Sequence, residues 1–95
     1  MRLDRGGGSS NRLRVPKRRK QPCALTIAGS DSGGGAGVQI DLKVLASLGV
    51  HGTSAITCVT AQNPKRVTAI QACKPDVVRA QIDAVFEGFS PKAVK

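Results

Sequence analysis

The segment Gly29-Ser30-Asp31-Ser32-Gly33-Gly34-Gly35-Ala36-Gly37 follows the apolar run Cys23-Ala24-Leu25-Thr26-Ile27-Ala28 and leads into residues with helical periodicity. A strand that turns through glycines into a helix is a common way for α/β proteins to build a ligand site. The first N–H groups of the helix face the ligand, and the glycines let it come close. Few other segments of the chain are as constrained.

With 95 residues, the chain holds at most one small domain and buries only a modest core. It has two Phe and no Trp or Tyr, so that core must be built from Val, Ile, Leu and Ala, which suits strands covered on both faces. No run reaches the ~18 apolar residues of a membrane helix. The net charge of +9 divides unevenly: residues 1–22 carry eight Arg or Lys against Asp4, while residues 23–95 carry seven against five acidic residues. The basic character belongs to a tail over residues 1–22, with Gly6-Gly7-Gly8-Ser9-Ser10 in its middle and Lys17-Arg18-Arg19-Lys20 near its end. So few apolar residues make disorder its expected state. It lacks the apolar centre of a secretory signal and the amphipathicity of a transit peptide. It also lacks aromatics to stack on bases, so neither nucleic acid nor membrane is the expected partner. Cys23, Cys58 and Cys73 are odd in number and far apart, and no C-x-x-C pair suggests zinc or redox chemistry. Free thiols fit a reducing cytoplasm. The single histidine, His51, beside Gly52, reads as a surface turn residue.

The order of elements follows from periodicity. Cys23 to Gly29 reads as a buried strand, and a helix is expected from about Ala36 to Leu48, stopped by Gly49. Its Val38, Leu42 and Leu45 share one face. Val50 to Thr60 is rich in β-branched residues and reads as a second strand. Gln62-Asn63-Pro64-Lys65 is turn chemistry, and Val67 to Ala72 a short third strand. Pro75 and Asp76 open a second helix, whose buried face is Val78, Ile82, Val85 and Phe89. Gly88 ends it, and Ala93-Val94 begins another strand. Alternating strands and helices imply an α/β fold with right-handed crossovers and a largely parallel sheet. Residues 23–95 read as the front of a larger domain. The unpaired sheet edge after Val94 invites self-association, so a homo-oligomer and marginal stability are expected.

The glycine segment matches neither usual phosphate loop. No lysine follows the glycines as in G-x-x-x-x-G-K-S/T, and in G-x-G-x-x-G/A the last position would fall on Val38. The segment therefore wraps a small organic ligand or acts as a hinge. At ~100° per residue, Asp41 lies about 40° from Leu45 and beside Val38 on the inner helix face. It is either a ligand-binding carboxylate one turn beyond the glycines or an N-terminal Asp complementing the helix dipole. Gln62 and Asn63 are placed just past the second strand, on the carboxyl edge where parallel sheets bind ligands. A primary amide there suits a heteroaromatic ring with ring nitrogens and an amino group. An ordinary polar turn is the other reading.

Residues 24–43, Ala24-Leu25-Thr26-Ile27-Ala28-Gly29-Ser30-Asp31-Ser32-Gly33-Gly34-Gly35-Ala36-Gly37-Val38-Gln39-Ile40-Asp41-Leu42-Lys43, resemble the amino-terminal signature of the hydroxymethylpyrimidine/phosphomethylpyrimidine kinases of thiamine biosynthesis. Ser54-Ala55-Ile56-Thr57 and Thr60-Ala61-Gln62-Asn63 are similar to its second signature at the family's spacing. Ala80-Gln81-Ile82-Asp83-Ala84-Val85 and Ala93-Val94-Lys95 agree as well. The resemblance covers residues 23–95 and not the tail.

It implies a ribokinase-like fold and transfer of the ATP γ-phosphoryl, with Mg²⁺, to 4-amino-5-hydroxymethyl-2-methylpyrimidine and its monophosphate. By the same resemblance Gly29, Asp41 and Gln62 bind the pyrimidine. The ATP site, the anion hole and the residue activating the substrate hydroxyl belong to the family's carboxyl-terminal half. No catalytic or metal-binding residue is therefore expected within this chain, and the chain alone is expected to be inactive. The alternatives are pyridoxal kinase-like activity, a non-catalytic ligand-binding remnant, or a nucleic-acid binder acting through the basic tail, whose affinity would fall steeply with salt.

Overall fold

The computed structural model describes residues 21–95; the basic tail expected over residues 1–22 lies outside the described residues, apart from Gln21 and Pro22. The elements are β1 (Cys23–Asp31), α1 (Gly37–Ser47), β2 (His51–Asn63), β3 (Arg66–Ala72), α2 (Pro75–Gly88) and β4 (Ala93–Val94). They form one sheet in the order β3-β2-β1-β4. β1 runs parallel to β2 and to β4. β3 departs from the expected alternation, because it pairs antiparallel with β2 and no helix separates them.

The turn residues explain that departure. Asn63 pairs with Arg66 across Pro64 and Lys65. Its side-chain Oδ1 accepts the N–H groups of Lys65 at 2.8 Å and Arg66 at 3.2 Å. An Asx side chain that satisfies the following amides closes a tight hairpin. β2 therefore runs on to Asn63, and Gln62 and Asn63 lie inside its last turn of pleat rather than beyond its end. His51 is likewise the exposed first residue of β2 and not part of a turn.

Side chains alternate between the two sheet faces. One face packs Leu25, Ala55 and Val85 into the core, with Ile27 and Ile82 against them, so the buried stripe of α2 is as its spacing predicts. The exception is Phe89, which is 52% exposed. It caps α2 and stacks on His51 with ring centroids 5.3 Å apart. The other face receives α1. A Cβ on Gly52 would stand 2.6 Å from Leu42 Cδ2 and 3.2 Å from Leu45 Cδ1, so the helix lies close against a strand surface without a side chain.

Between Ala28 and Ser30 the register slips, with β2 holding one extra residue, the bulge lying around Thr57 and Cys58. β3 covers the outer edge of β2 only from Cys58 onward. Before that point the edge is closed from α2: the Gln81 side chain accepts the Ile56 N–H at 2.8 Å and donates to the Ile56 carbonyl at 2.9 Å. The amide of Gln81 thus takes the place of a strand neighbour. None of the helices among the described residues is long and apolar enough to cross a membrane.

Candidate functional site

Two clefts contain the polar residues singled out from the sequence. The first, of about 240 Å³, lies between α1 and β4 and contains Thr26, Asp41 and Lys95 among apolar neighbours. The second, of about 310 Å³, is bordered by Asp31, Gly33, Gly35, Gln62, Asn63 and Pro64. Asp41 and Gln62 therefore stand in separate clefts. Gly29 lies in β1 between Thr26 of the first and Asp31 of the second.

Asp41 projects from the second turn of α1 toward the sheet and keeps 12% of its side-chain exposure. Thr26, fully buried in β1, donates its hydroxyl to Asp41 Oδ2 at 2.6 Å. The Lys95 ammonium stands 3.1 Å from both carboxylate oxygens. The Thr26 hydrogen bond first, and Lys95 second, hold the Asp41 carboxyl below its ordinary pKa, against a smaller opposing effect of burial. Asp41 is a fixed acceptor beside an apolar wall.

The glycine segment has a different organisation from a phosphate loop. Asp31 is buried, and its carboxylate accepts the Gly33 N–H at 2.7 Å and the Gly35 N–H at 2.9 Å. The Gly34 N–H donates to the Asp31 carbonyl at 3.0 Å. The amides of Gly33, Gly34 and Gly35 are thus all occupied by one aspartate. Gln39 completes the arrangement, accepting the Asp31 N–H and donating to Ser30 Oγ, both at 2.8 Å.

Gly29 and Gly37 make this packing possible. At Gly37 φ is +61°, and a Cβ there would collide with the Gly29 carbonyl oxygen. A Cβ on Gly29 would stand 2.8 Å from Cys58 Sγ. Close approach of β1, β2 and the start of α1 accounts for both glycines.

At the second cleft, Thr60 Oγ1 lies 2.8 Å from the Ser30 carbonyl and 2.8 Å from the atom assigned as Gln62 Oε1. A hydroxyl has one proton, and the Ser30 carbonyl can only accept. Both contacts are satisfied when the Gln62 amide is turned so that its NH₂ faces Thr60. Its carbonyl oxygen is then free for a ligand.

Sequence reasoning singled out Asp41 and Gln62 but not the residues that contact their side chains: Thr26, Thr60 and Lys95. It also missed Asp31 as the centre of the glycine turn. The signal for Thr26 was a polar residue inside an otherwise apolar strand, and for Asp31 an Asx residue two positions before a glycine.

A profile of the family described as phosphomethylpyrimidine kinase matches residues 31–95. The chain belongs to that family. A hydroxymethylpyrimidine/phosphomethylpyrimidine kinase of Synechococcus elongatus is 61% identical over 74 residues, covering 78% of this chain and 28% of that protein. The crystal structure of a Clostridium difficile phosphomethylpyrimidine kinase superposes with a TM-score of 0.73 at 51% identity, over 76% of this chain and 33% of that one. An ADP complex of a Bacillus subtilis pyridoxal kinase gives a TM-score of 0.71 at 37% identity, over 79% of this chain and 29% of that one. This member of the phosphomethylpyrimidine kinase family thus spans about a third or less of the length of these relatives. Its mostly parallel sheet with flanking helices is the ribokinase-like arrangement of the family.

Proposed function

We propose that this chain supplies the pyrimidine-binding part of a hydroxymethylpyrimidine/phosphomethylpyrimidine kinase, and that the phosphate-handling part lies outside residues 21–95. The observation that carries this reading is the 61% identity to a protein of that name across both glycine and Gln62 segments. In it, Asp41 offers its carboxylate to a donor in the first cleft, Gln62 offers its amide carbonyl to an amino group in the second, and Gly29 contributes main chain between the two clefts. The reaction is ATP-dependent phosphorylation of 4-amino-5-hydroxymethyl-2-methylpyrimidine and of its monophosphate.

The described residues do not fit ATP phosphates or Mg²⁺. The glycine amides already bind Asp31, and no group of three His, Cys, Asp or Glu among the described residues could hold a metal ion. Phosphoryl transfer rests on positioning and on charge stabilisation by metal and donors, so no catalytic step is assigned to these residues. The expected result for the 95-residue protein is binding of the pyrimidine without its phosphorylation. Calorimetric titration with the pyrimidine, followed by an assay with labelled ATP, tests both halves. Binding unaffected by Asp41→Asn and Gln62→Ala would overturn the site assignment, and phosphate transfer by this chain would overturn the division of labour. Likeness to a pyridoxal kinase supports a second reading in which a pyridoxal-type ring is accepted, which competition between the two rings decides.

A further inference from the structure

The geometry points to Thr26 as the positioning residue of the Asp41 site: it engages Oδ2 of the carboxylate, so that Oδ1 is the oxygen offered to a ligand's N–H donor, with the Lys95 ammonium as the displaceable group standing there now. This rests on the reading of Asp41 as a pyrimidine-binding residue.

Thr26 sits in β1 with 1% of its surface exposed. Valine has the same shape and would suit a buried strand better, since a buried hydroxyl is costly without a partner. The hydroxyl's partner is Asp41 Oδ2, at 2.6 Å. The two carboxylate oxygens are then unequal. Oδ2 receives a buried, rotamer-restricted hydroxyl as well as Lys95. Oδ1 receives Lys95 alone, whose side chain is 76% exposed. An ammonium on a flexible, solvated stem exchanges readily for another donor, whereas the β-branched Thr26 is stiff at χ1.

The surrounding cleft defines the donor. Its walls include Val44 and Leu45 of α1 and Ala93 and Val94 of β4, and its volume of about 240 Å³ falls below the ~300 Å³ at which drug-sized pockets begin. Apolar walls around a single carboxylate suit a planar ring bearing an amino group or a protonated ring nitrogen. Lys95, which follows β4, is the charged group facing Asp41 there, Thr26 the polar one from β1, and α1 adds only apolar neighbours.

The test combines the Asp41 side-chain carboxyl titration, followed by carbon NMR on the whole chain, with calorimetric binding of 4-amino-5-hydroxymethyl-2-methylpyrimidine. Thr26→Val is expected to raise the Asp41 midpoint and weaken pyrimidine binding about tenfold, the worth of a hydrogen bond to a charged group. Thr26→Ser is expected to restore both. Lys95→Met is expected to raise the midpoint and tighten binding, because it removes the group that the ligand must displace. If Thr26→Val leaves the midpoint and the binding unchanged, the positioning role is wrong. If it moves the midpoint while Asp41→Asn leaves binding unchanged, the pyrimidine reading fails and Thr26 only secures the helix. A Thr26→Val protein that does not fold, with Thr26→Ser binding like the parent, supports the role; Thr26→Ser folding yet failing to bind overturns it.

Discussion

Replacing Gln81 with leucine probes a helix side chain that stands in for a missing strand. The wild-type amide makes two hydrogen bonds with the Ile56 main chain, at 2.8 and 2.9 Å. Leucine keeps the apolar stem and a comparable helix propensity. A neutral hydrogen bond contributes about 1 kcal/mol net, and an orphaned buried partner costs about 1–3 kcal/mol. Ile56 is half-buried, so water recovers part of that cost and a loss of about 2 kcal/mol is expected. With a urea slope of about 1 kcal/mol/M for a small protein, the unfolding midpoint of Gln81→Leu should fall by about 2 M. The Ile56 amide should also exchange faster in native conditions, because its protection depends on that acceptor. Gln81→Glu provides the control. At neutral pH the introduced carboxylate still accepts from the Ile56 N–H but sets its other oxygen against the Ile56 carbonyl. Protonation near pH 4 restores a donor, so the deficit of this variant should shrink on acidification. A Gln81→Leu midpoint within about 0.3 M of the parent, or a Gln81→Glu deficit that does not change with pH, would refute the strand-substitute role.

Gly37→Ala should cost about 3 kcal/mol, since it combines a left-handed backbone with a collision against the Gly29 carbonyl. Gly49→Ala has φ of +76° and nothing within 4 Å, and should cost about 1 kcal/mol; equal thermal shifts for the two would show that the collision is unimportant. Asp31→Asn should destabilise the chain by about 1–2 kcal/mol, because its NH₂ would face one of two N–H donors, and amide exchange at Gly33 or Gly35 should rise. Asp41 has a lowered pKa in the folded chain, so its stabilising contribution is present above the unfolded carboxyl pKa of ~3.9 and is lost as pH falls through the lower folded value. The stability difference between parent and Asp41→Asn should be constant above about pH 5 and shrink below pH 4, which denaturation across that range will show. Growth of the difference on acidification would contradict the sign.

Much of this architecture could be read directly because single residue types dictated it. Glycine and proline bounded the elements, and the i, i+4, i+7 spacings put Val38, Leu42 and Leu45 on the sheet side of α1 and Val85 in the core. The hairpin was not legible, because a Gln-Asn-Pro-Lys sequence is compatible with any polar turn. Only the placement of Asn63 Oδ1 over two amides selects an antiparallel return. Phe89 misled for a related reason. Helical spacing extends the buried stripe past Val85, but α2 ends at Gly88 and the ring turns out onto His51. The site divided in the same way. Asp41 stood out as a carboxylate on the inner face of a helix, and Gln62 as an amide at the carboxyl edge of the sheet. Thr26 on β1 gains its importance from a contact fifteen residues away on α1, and Thr60, two residues before Gln62 on the same strand, from a hydroxyl that also reaches the Ser30 carbonyl on β1. Among the described residues, large apolar side chains such as Ile70, Leu48 and Val94 remain exposed, an outcome that local patterning does not reveal.

The aspartate at the heart of the glycine turn acts as a competitor in cis. Tethered within four residues of the amides it binds, it presents them with a carboxylate at an effective concentration of at least about millimolar. A free phosphate must displace this resident anion and then tolerate its charge nearby. A turn with the composition of an anion receptor in this way presents the Gly33, Gly34 and Gly35 amides already bonded rather than open. Counting glycines cannot distinguish a vacant receptor from one that folds already saturated.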